Sequence, residues 1–154
     1  MDHHNLFLSR TAYKLLRLDH LVILLVLVAL LFYHWREVDW LRFTVFFLWP
    51  DLMGTLPGMY WYYVRRSGDH RRIPAVFHTL YNIGHSFTVT AAVIGAWYLV
   101  LGRWEWAMLS LPIHLLGDRS LFGNIYKPLG LSFEPAPHPG FIRFLNEYEQ
   151  GGKW

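Results

Sequence analysis

Cysteine is absent from the 154 residues of this chain, and charged residues are scarce. Without a thiol the chain can form no disulfide, thiolate metal site, iron–sulfur cluster or cysteine nucleophile. Any metal ion must therefore be bound by His, Asp, Glu or Asn side chains. Charged residues make up 16% of the chain, compared with about 25% in an average soluble protein. This shortage of charge argues against a soluble globular domain.

Hydrophobic residues are correspondingly abundant, at 54% of the chain, with 11 Phe, 9 Tyr and 8 Trp. Trp and Tyr concentrate where a membrane protein meets the lipid–water boundary, so this composition predicts an integral membrane protein. The net charge is +3, but the basic residues cluster beside apolar segments rather than along one soluble face. We interpret them as determinants of membrane topology and expect no nucleic-acid partner.

The apolar segments predict an all-α fold, a polytopic bundle of four transmembrane helices. Their expected bounds are Leu18 to Trp35, Trp40 to Val64, Pro74 to Leu101, and Trp104 to Gly117. Pro50 and Pro57 remove backbone donors from the second span, so we expect that helix to be kinked around Asp51. Residues 1–17 then form an N-terminal interfacial segment, 18–119 the membrane domain, and 120–154 a Gly- and Pro-rich tail.

The distribution of basic residues predicts the orientation of this bundle. Arg10, Lys14 and Arg17 precede the first span, and four further arginines lie in the loop between the second and third spans. Because short cytoplasmic loops carry an excess of Lys and Arg, both of these ends are expected inside the cell. Four spans then place both termini, and the tail, on the cytoplasmic side.

Five ionisable residues lie within or at the ends of the apolar segments, where a bilayer penalises them: Asp51, His78, His85, His114 and Asp118. Such residues usually face a bundle interior and mark a functional site. On the third span His78, Asn82 and His85 share one helical face. The predicted topology places that face, His114 with Asp118, and Asp51 in the cytoplasmic half of the bundle.

Imidazoles and carboxylates without sulfur are suitable ligands for Zn, Mn or Fe. We therefore predict a divalent metal bound by Asp51, His85, His114 and Asp118, with His78 and Asn82 as catalytic or supporting groups. Two other interpretations stay open: Asp118 and Arg119 can form an ion pair at the membrane edge, and His114 can be a packed core histidine. Polar groups in membrane bundles often only hydrogen-bond a neighbouring helix.

Three motifs carry a resemblance to known proteins: Trp49 to Gly54, Tyr81 to His85, and His114 to Arg119 followed by Gly123 to Lys127. In this order they resemble a family of small, uncharacterised bacterial integral-membrane proteins. More distantly, Pro50 with Asp51, His85 with Ser86, and His114 with Asp118 resemble motifs of inner-membrane metal-dependent hydrolases. Those hydrolases have a further acidic residue and a His-Arg pair, where this chain has Leu52, Met53 and His78 nearby.

The resemblance implies a multi-pass protein of the bacterial inner membrane and a hydrolase acting on a lipid-like substrate at the cytoplasmic leaflet. A non-enzymatic accessory or assembly subunit of a larger membrane complex, with a membrane-protein partner or a homo-oligomer, is the alternative. A proton-coupled transporter or a haem carrier is a third possibility, because the same ionisable residues would serve either. Membrane lipids are expected to contact the protein in every case.

Overall fold

The structure, a computed structural model, describes residues 8–65, 73–129, 133 and 137–151. These residues are helical, with no β-strand among them, which confirms the all-α prediction for this part of the chain. The basic loop 66–72, on which part of the predicted orientation depends, lies outside the described residues, as do residues 1–7 of the N-terminal segment. Seven α-helical stretches are described: α1 Arg10–Tyr33, α2 Trp40–Pro50, α3 Leu56–Tyr60, α4 Ala75–Gly84, α5 Phe87–Leu101, α6 Ser110–Gly117 and α7 Pro139–Gly151.

Helix α1 is long and apolar enough to cross a membrane. It begins at Arg10, before the predicted start of the span at Leu18, because the Ser9 side chain accepts a hydrogen bond from the backbone N–H of Ala12 at 3.1 Å and caps the helix. Part of the predicted interfacial segment is therefore continuous with α1. Most of α1 is exposed, as in a helix that faces lipid.

The third predicted span is two helices rather than one. Helices α4 and α5 meet at a bend of 57° across His85 and Ser86, and only together are they long and apolar enough for a second span. Gly84, the last residue of α4, packs closely against the second predicted span, since a Cβ atom on Gly84 would lie 3.2 Å from the carbonyl oxygen of Pro50. His85 thus lies at a helix end, and not on a continuous helical face with His78 and Asn82.

The helical geometry of the second predicted span changes directly after Pro50, near the position at which a kink was expected. Helix α2 ends at Pro50, a π-helical turn covers Asp51–Thr55, and helix α3 is followed by another π-helical turn, Trp61–Arg65. A π-helical turn inserts an extra residue into the helical repeat and commonly marks a functional site. Here it redirects the Asp51 side chain relative to α2.

Helix α6 is buried at the centre of the described structure. A 3₁₀ turn at Trp106–Leu109 leads into it, and a π-helical turn at Asp118–Phe122 follows it. Its side chains pack with α1 and α2 to form one apolar core, which contains Leu24, Leu31, Val38, Leu109, Ile113 and Leu116. The fourth predicted segment is therefore a short helix, as expected, and most of its residues are buried.

The predicted tail is only partly a surface segment. Phe133 is fully buried, and its ring packs against Gly58, where a Cβ atom would lie 2.6 Å from that ring. The tail therefore fills a groove that glycine leaves open in the second predicted span. Helix α7, by contrast, has no buried residue and contacts α1 through Arg10, which donates hydrogen bonds to Asn146 and Glu149.

The opposite end of the bundle is closed by a polar network between two loops. Arg42 donates to both carboxylate oxygens of Glu105 at 2.7 Å, and the indole of Trp106 donates to Glu37 at 3.1 Å. The hydrogen bonds from Arg42 hold the pKa of the Glu105 carboxyl below its usual value. The loop between α1 and α2, around Glu37, and the loop between α5 and α6, around Glu105, therefore meet at one end of the molecule, and in each of them acidic and basic residues balance.

Candidate metal centre

Two imidazoles from different segments meet in the interior. His114 lies in the middle of buried helix α6, and His85 ends helix α4; the two rings are 5% and 2% exposed. Their Nε2 atoms lie 3.4 Å apart. The edge of Phe47 packs against the His114 ring, and Tyr81 stacks on the His85 ring at 3.9 Å. Aromatic packing therefore fixes the orientation of both rings.

A backbone carbonyl determines which nitrogen of His85 faces the cluster. Nδ1 of His85 lies 2.9 Å from the carbonyl oxygen of Tyr81, four residues earlier. Since a carbonyl oxygen can only accept, Nδ1 carries the proton and donates. When the ring is neutral it presents a lone pair on Nε2, as metal-ligating histidines do when a backbone carbonyl orients them.

Two carboxylates complete the cluster. The Oδ1 atom of Asp51, from the π-helical turn after α2, lies 3.7 Å from His85 Nε2 and 3.9 Å from His114 Nε2. The Oδ2 atom of Asp118, at the end of α6, lies 3.1 and 3.8 Å from the same two nitrogens. These groups accept hydrogen bonds or bind cations, so their convergence requires a positive charge among them.

The geometry of Asp51, His85 and His114 is compatible with a metal ion, and these three residues could hold one. A tetrahedral site with bonds of about 2.1 Å has ligand atoms about 3.4 Å apart. The three donor separations, 3.4, 3.7 and 3.9 Å, are close to that value. Small side-chain adjustments would be enough to close the site around an ion.

A cleft leads from the surface to this cluster. Its volume is about 310 Å³, and it reaches Asp51, His114 and Asp118 between α1, α2 and α6. The remaining wall is almost entirely apolar: Leu24, Phe47, Ile113, Gly117, Leu121 and Phe122. Apolar walls with a few convergent polar groups are the usual composition of a small-molecule site.

The six residues singled out from the sequence separate into two groups. Asp51, His85, His114 and Asp118 come together as described above. His78 is buried, packs edge-on against Phe133 at 5.3 Å, and has no hydrogen-bond partner among the described residues. The possible metal ligands are Asp51, His85 and His114. Asp118 lies beside the two imidazoles but is not one of these three, and neither His78 nor Asn82 belongs to the set.

Asn82 holds a backbone segment in place. Its side-chain amide donates to the carbonyl oxygen of Lys127 at 2.9 Å and accepts from the Lys127 backbone N–H at 2.7 Å. These two hydrogen bonds fix the backbone of Lys127, which follows the π-helical turn Asp118–Phe122. A catalytic role for Asn82 or His78 stays a prediction, and these contacts favour a structural role for Asn82.

Arg119 does not form the ion pair with Asp118 that the sequence left open. Within the described residues the arginines in ion pairs are Arg10, Arg42 and Arg103. Arg119 instead donates to the carbonyl oxygen of His85 at 3.2 Å. Its position next to the His-x-x-x-Asp motif was the signal available in the sequence. The apolar residues of the cleft gave none, because Leu and Phe are common throughout the apolar segments.

The chain matches no protein-family model, no curated protein and no solved structure. The resemblance of its three motifs to bacterial membrane proteins and metal-dependent hydrolases therefore stays a prediction.

Proposed function

We propose that this protein is a membrane-embedded, metal-dependent hydrolase that acts on a lipid-like substrate at the cytoplasmic leaflet. The observation that carries the proposal is the meeting of Asp51, His85 and His114 at the base of an apolar cleft. Two imidazoles and two carboxylates that converge favour a positive charge among them, and a divalent metal would supply it with suitable ligand chemistry. Zn, Mn and Fe all fit a set of nitrogen and carboxylate donors.

The donor set suits a catalytic rather than a purely structural metal. A structural zinc site is closed by four protein ligands, whereas a catalytic site keeps a position for water or substrate. Asp51 borders the cleft and is partly exposed, so water can reach the cluster from that side. Asp51, His85 and His114 would hold the ion, which would supply the Lewis acidity that activates water as a nucleophile.

The residues around the cluster have separate tasks in this proposal. Tyr81 orients His85 through its carbonyl, Phe47 buttresses His114, and Asp118 contacts both imidazoles. The apolar wall of the cleft binds the hydrocarbon part of the substrate and excludes bulk water. The exposed side chains of Leu121 and Phe122 place the mouth of the cleft at the surface.

The position of the cluster supports access from the cytoplasmic leaflet. It lies toward the end of the bundle where α1 begins, since Arg17 donates to the carbonyl oxygens of Ser120 and Leu121. The charge-balanced loops with Glu37 and Glu105 lie at the other end. With basic residues on the cytoplasmic side, the cluster faces the inner leaflet. The continuous helical runs 40–65 and 106–122 would then be the two remaining spans of a four-span bundle.

Turnover in lipid nanodiscs tests the proposal. The protein is incubated with a panel of glycerophospholipids and isoprenoid phosphates, and products are identified by mass spectrometry. We expect hydrolysis of at least one class, loss of it on chelation, and recovery with one of Zn, Mn or Fe. Asp51→Ala and His114→Ala should abolish turnover, whereas His138→Ala, in the exposed segment before α7, should retain it. Turnover that survives both chelation and His114→Ala would reject the proposal.

One observation favours a second candidate, an accessory subunit of a membrane complex. Helix α7 is amphipathic and has no buried residue, and its Phe141, Ile142 and Phe144 are exposed. In that case the cluster would serve only to pack the helices. Alanine at Asp51 or His85 would then lower thermal stability and partner association together, and no lipid in the panel would be hydrolysed by the intact protein.

A further inference from the structure

Arg119 is a rigidly held cation at the edge of the cluster. Its guanidinium lies 4.2 Å from the centre of the Phe87 ring and 5.3 Å from that of Tyr126. One terminal N–H donates to the carbonyl oxygen of His85, and Arg119 directly follows Asp118 in the chain. Arg119 is therefore tied to two residues of the cluster, to His85 by a hydrogen bond and to Asp118 by the chain. A side chain held by these contacts loses little further freedom when it binds a ligand.

Most of the hydrogen-bonding capacity of Arg119 is unused within the described residues. A guanidinium has five N–H donors, and the bond to His85 uses one of them. Arg17, by contrast, donates three hydrogen bonds, to the carbonyl oxygens of Ser120 and Leu121. Arg17 therefore fixes the chain after α6, while Arg119 retains donors for a further acceptor.

The charge balance of the site also leaves Arg119 uncompensated. Two carboxylates, Asp51 and Asp118, would balance a divalent ion, so the metal centre as a whole would carry no net charge. The described ion pairs assign no carboxylate to Arg119. The guanidinium of Arg119 is thus a positive charge beside His85 with which an anionic group can pair. Arg17, which donates to the carbonyl oxygen of the next residue, Ser120, is a second cation on the same stretch of chain.

Two other groups beside Phe87 suit the same ligand. His20 stacks on the Phe87 ring at 6.3 Å between centroids, and its Nδ1 is buried without a partner among the described residues. Phe87 is also the first residue of α5, whose start has no side-chain cap. The first N–H groups of a helix favour anions. That helix start would not make a site alone, but it adds to the positive field of Arg119.

We propose that Arg119 binds the phosphate group of the substrate while the hydrocarbon part occupies the apolar cleft. Arginine suits this role because its planar fork pairs with two phosphate oxygens at once. The inference deepens the proposed function, on which it rests for the use of the cleft, by naming the substrate class as an alkyl or isoprenoid phosphate. Arg119 is a binding residue in this account and supplies no proton to the reaction.

Calorimetric titration of the detergent-purified protein with dodecyl phosphate and with inorganic phosphate tests the proposal. Each probe is measured after metal loading and again after chelation. We expect Arg119→Gln to weaken dodecyl phosphate binding at least tenfold and Arg119→Lys to weaken it less. Arg36→Gln is the matched control, because Arg36 also lies over an aromatic ring, that of Trp35, and is exposed. It should bind like the native chain.

Comparison of dodecyl phosphate with inorganic phosphate shows whether the site binds a lipid phosphate or free phosphate. Dodecyl phosphate bound much more tightly than inorganic phosphate supports a lipid head group, and equal affinities, both lost in Arg119→Gln, support free phosphate at the same residue. Unchanged binding of both probes in an Arg119→Gln protein with normal thermal stability overturns the proposal. Metal content is measured on every sample, so a protein that binds phosphate through Arg119 but contains no metal would reject the metal enzyme alone.

Discussion

Gly54 lies so close to the backbone of Tyr81 that a Cβ atom at this position would be 2.4 Å from the Cα atom of Tyr81. The contact joins the π-helical turn that carries Asp51 to the helix that ends at His85. Glycine is the only residue that permits this distance. The geometry of the candidate metal centre thus depends on Gly54, a residue that contributes no side chain to the centre.

Gly54→Ala is therefore expected to destabilise the protein and disrupt the cluster. The added methyl group must displace backbone, and overpacking of this kind typically costs about 1–3 kcal/mol or more. Thermal unfolding in detergent measures the effect. Gly95→Ala is the control, because a Cβ atom there meets nothing within 4 Å and the helix gains up to about 1 kcal/mol. Equal unfolding temperatures for the two variants would contradict the close contact.

Gly117 offers a way to block the cleft without touching the cluster. It lies in the cleft wall, and a Cβ atom there meets nothing within 4 Å. Gly117→Leu should project a side chain into the cleft, abolish turnover of lipid-like substrates and leave the bound metal unchanged, while Gly117→Ala should retain most activity. Kinetics and metal analysis on the same samples check this. Full activity in Gly117→Leu would show that the substrate does not use this cleft.

Asn82→Ala should reduce stability rather than metal binding. The substitution removes both hydrogen bonds to the backbone of Lys127, and buried groups left without partners cost about 1–3 kcal/mol. We expect a lower unfolding temperature with unchanged metal stoichiometry and, in the folded fraction, unchanged turnover per molecule. If turnover per folded molecule falls by orders of magnitude while stability is unaffected, Asn82 is catalytic, as the sequence suggested.

The pair Arg42 and Glu105 predicts a pH dependence of stability. Because Arg42 lowers the pKa of Glu105 in the folded state, this pair stabilises the fold fully above the ordinary Glu pKa of about 4.3. The contribution is lost as the pH falls through the folded-state pKa. Unfolding temperatures of Glu105→Gln should therefore decline less steeply than those of the native chain below about pH 5. The exposed Glu147→Gln variant is the control, and parallel profiles for all three proteins would contradict the prediction.

The sequence was sufficient to predict helices, a change of helical geometry near Asp51 and the set of four residues that converge. Prolines, apolar length and the cost of ionisable groups in lipid are local properties, so they can be recognised without coordinates. The bend at His85 was not predicted, and the sequence left open whether His114 is a packed core histidine, because both features depend on tertiary packing. Gly84 approaches Pro50, and α6 is surrounded by α1 and α2. Neither contact can be recognised from the sequence of the segment alone, because each involves a residue from a distant part of the chain.

The contact partners of His78, Asn82 and Arg119 could not be predicted from the sequence either. His78 and Asn82 share one face of α4, yet His78 packs against Phe133 and Asn82 bonds to Lys127. Both partners come from the predicted tail, whose Gly and Pro content suggested an irregular surface segment. Arg119 had a carboxylate as its neighbour in sequence but contacts aromatic rings instead. Composition identified the reactive residue types, and tertiary packing decided their neighbours.

The central claim is that Asp51, His85 and His114 bind one metal ion, and elemental analysis of the purified protein tests it most directly. The protein is prepared in detergent, passed over a chelating resin and reloaded with Zn, Mn or Fe. We predict about one ion per chain in the native protein and in His138→Ala, and a loss of metal in His85→Ala, His114→Ala and Asp51→Ala. A folded native protein that binds no metal, or a His114→Ala variant that binds as much as the native chain, would contradict the account.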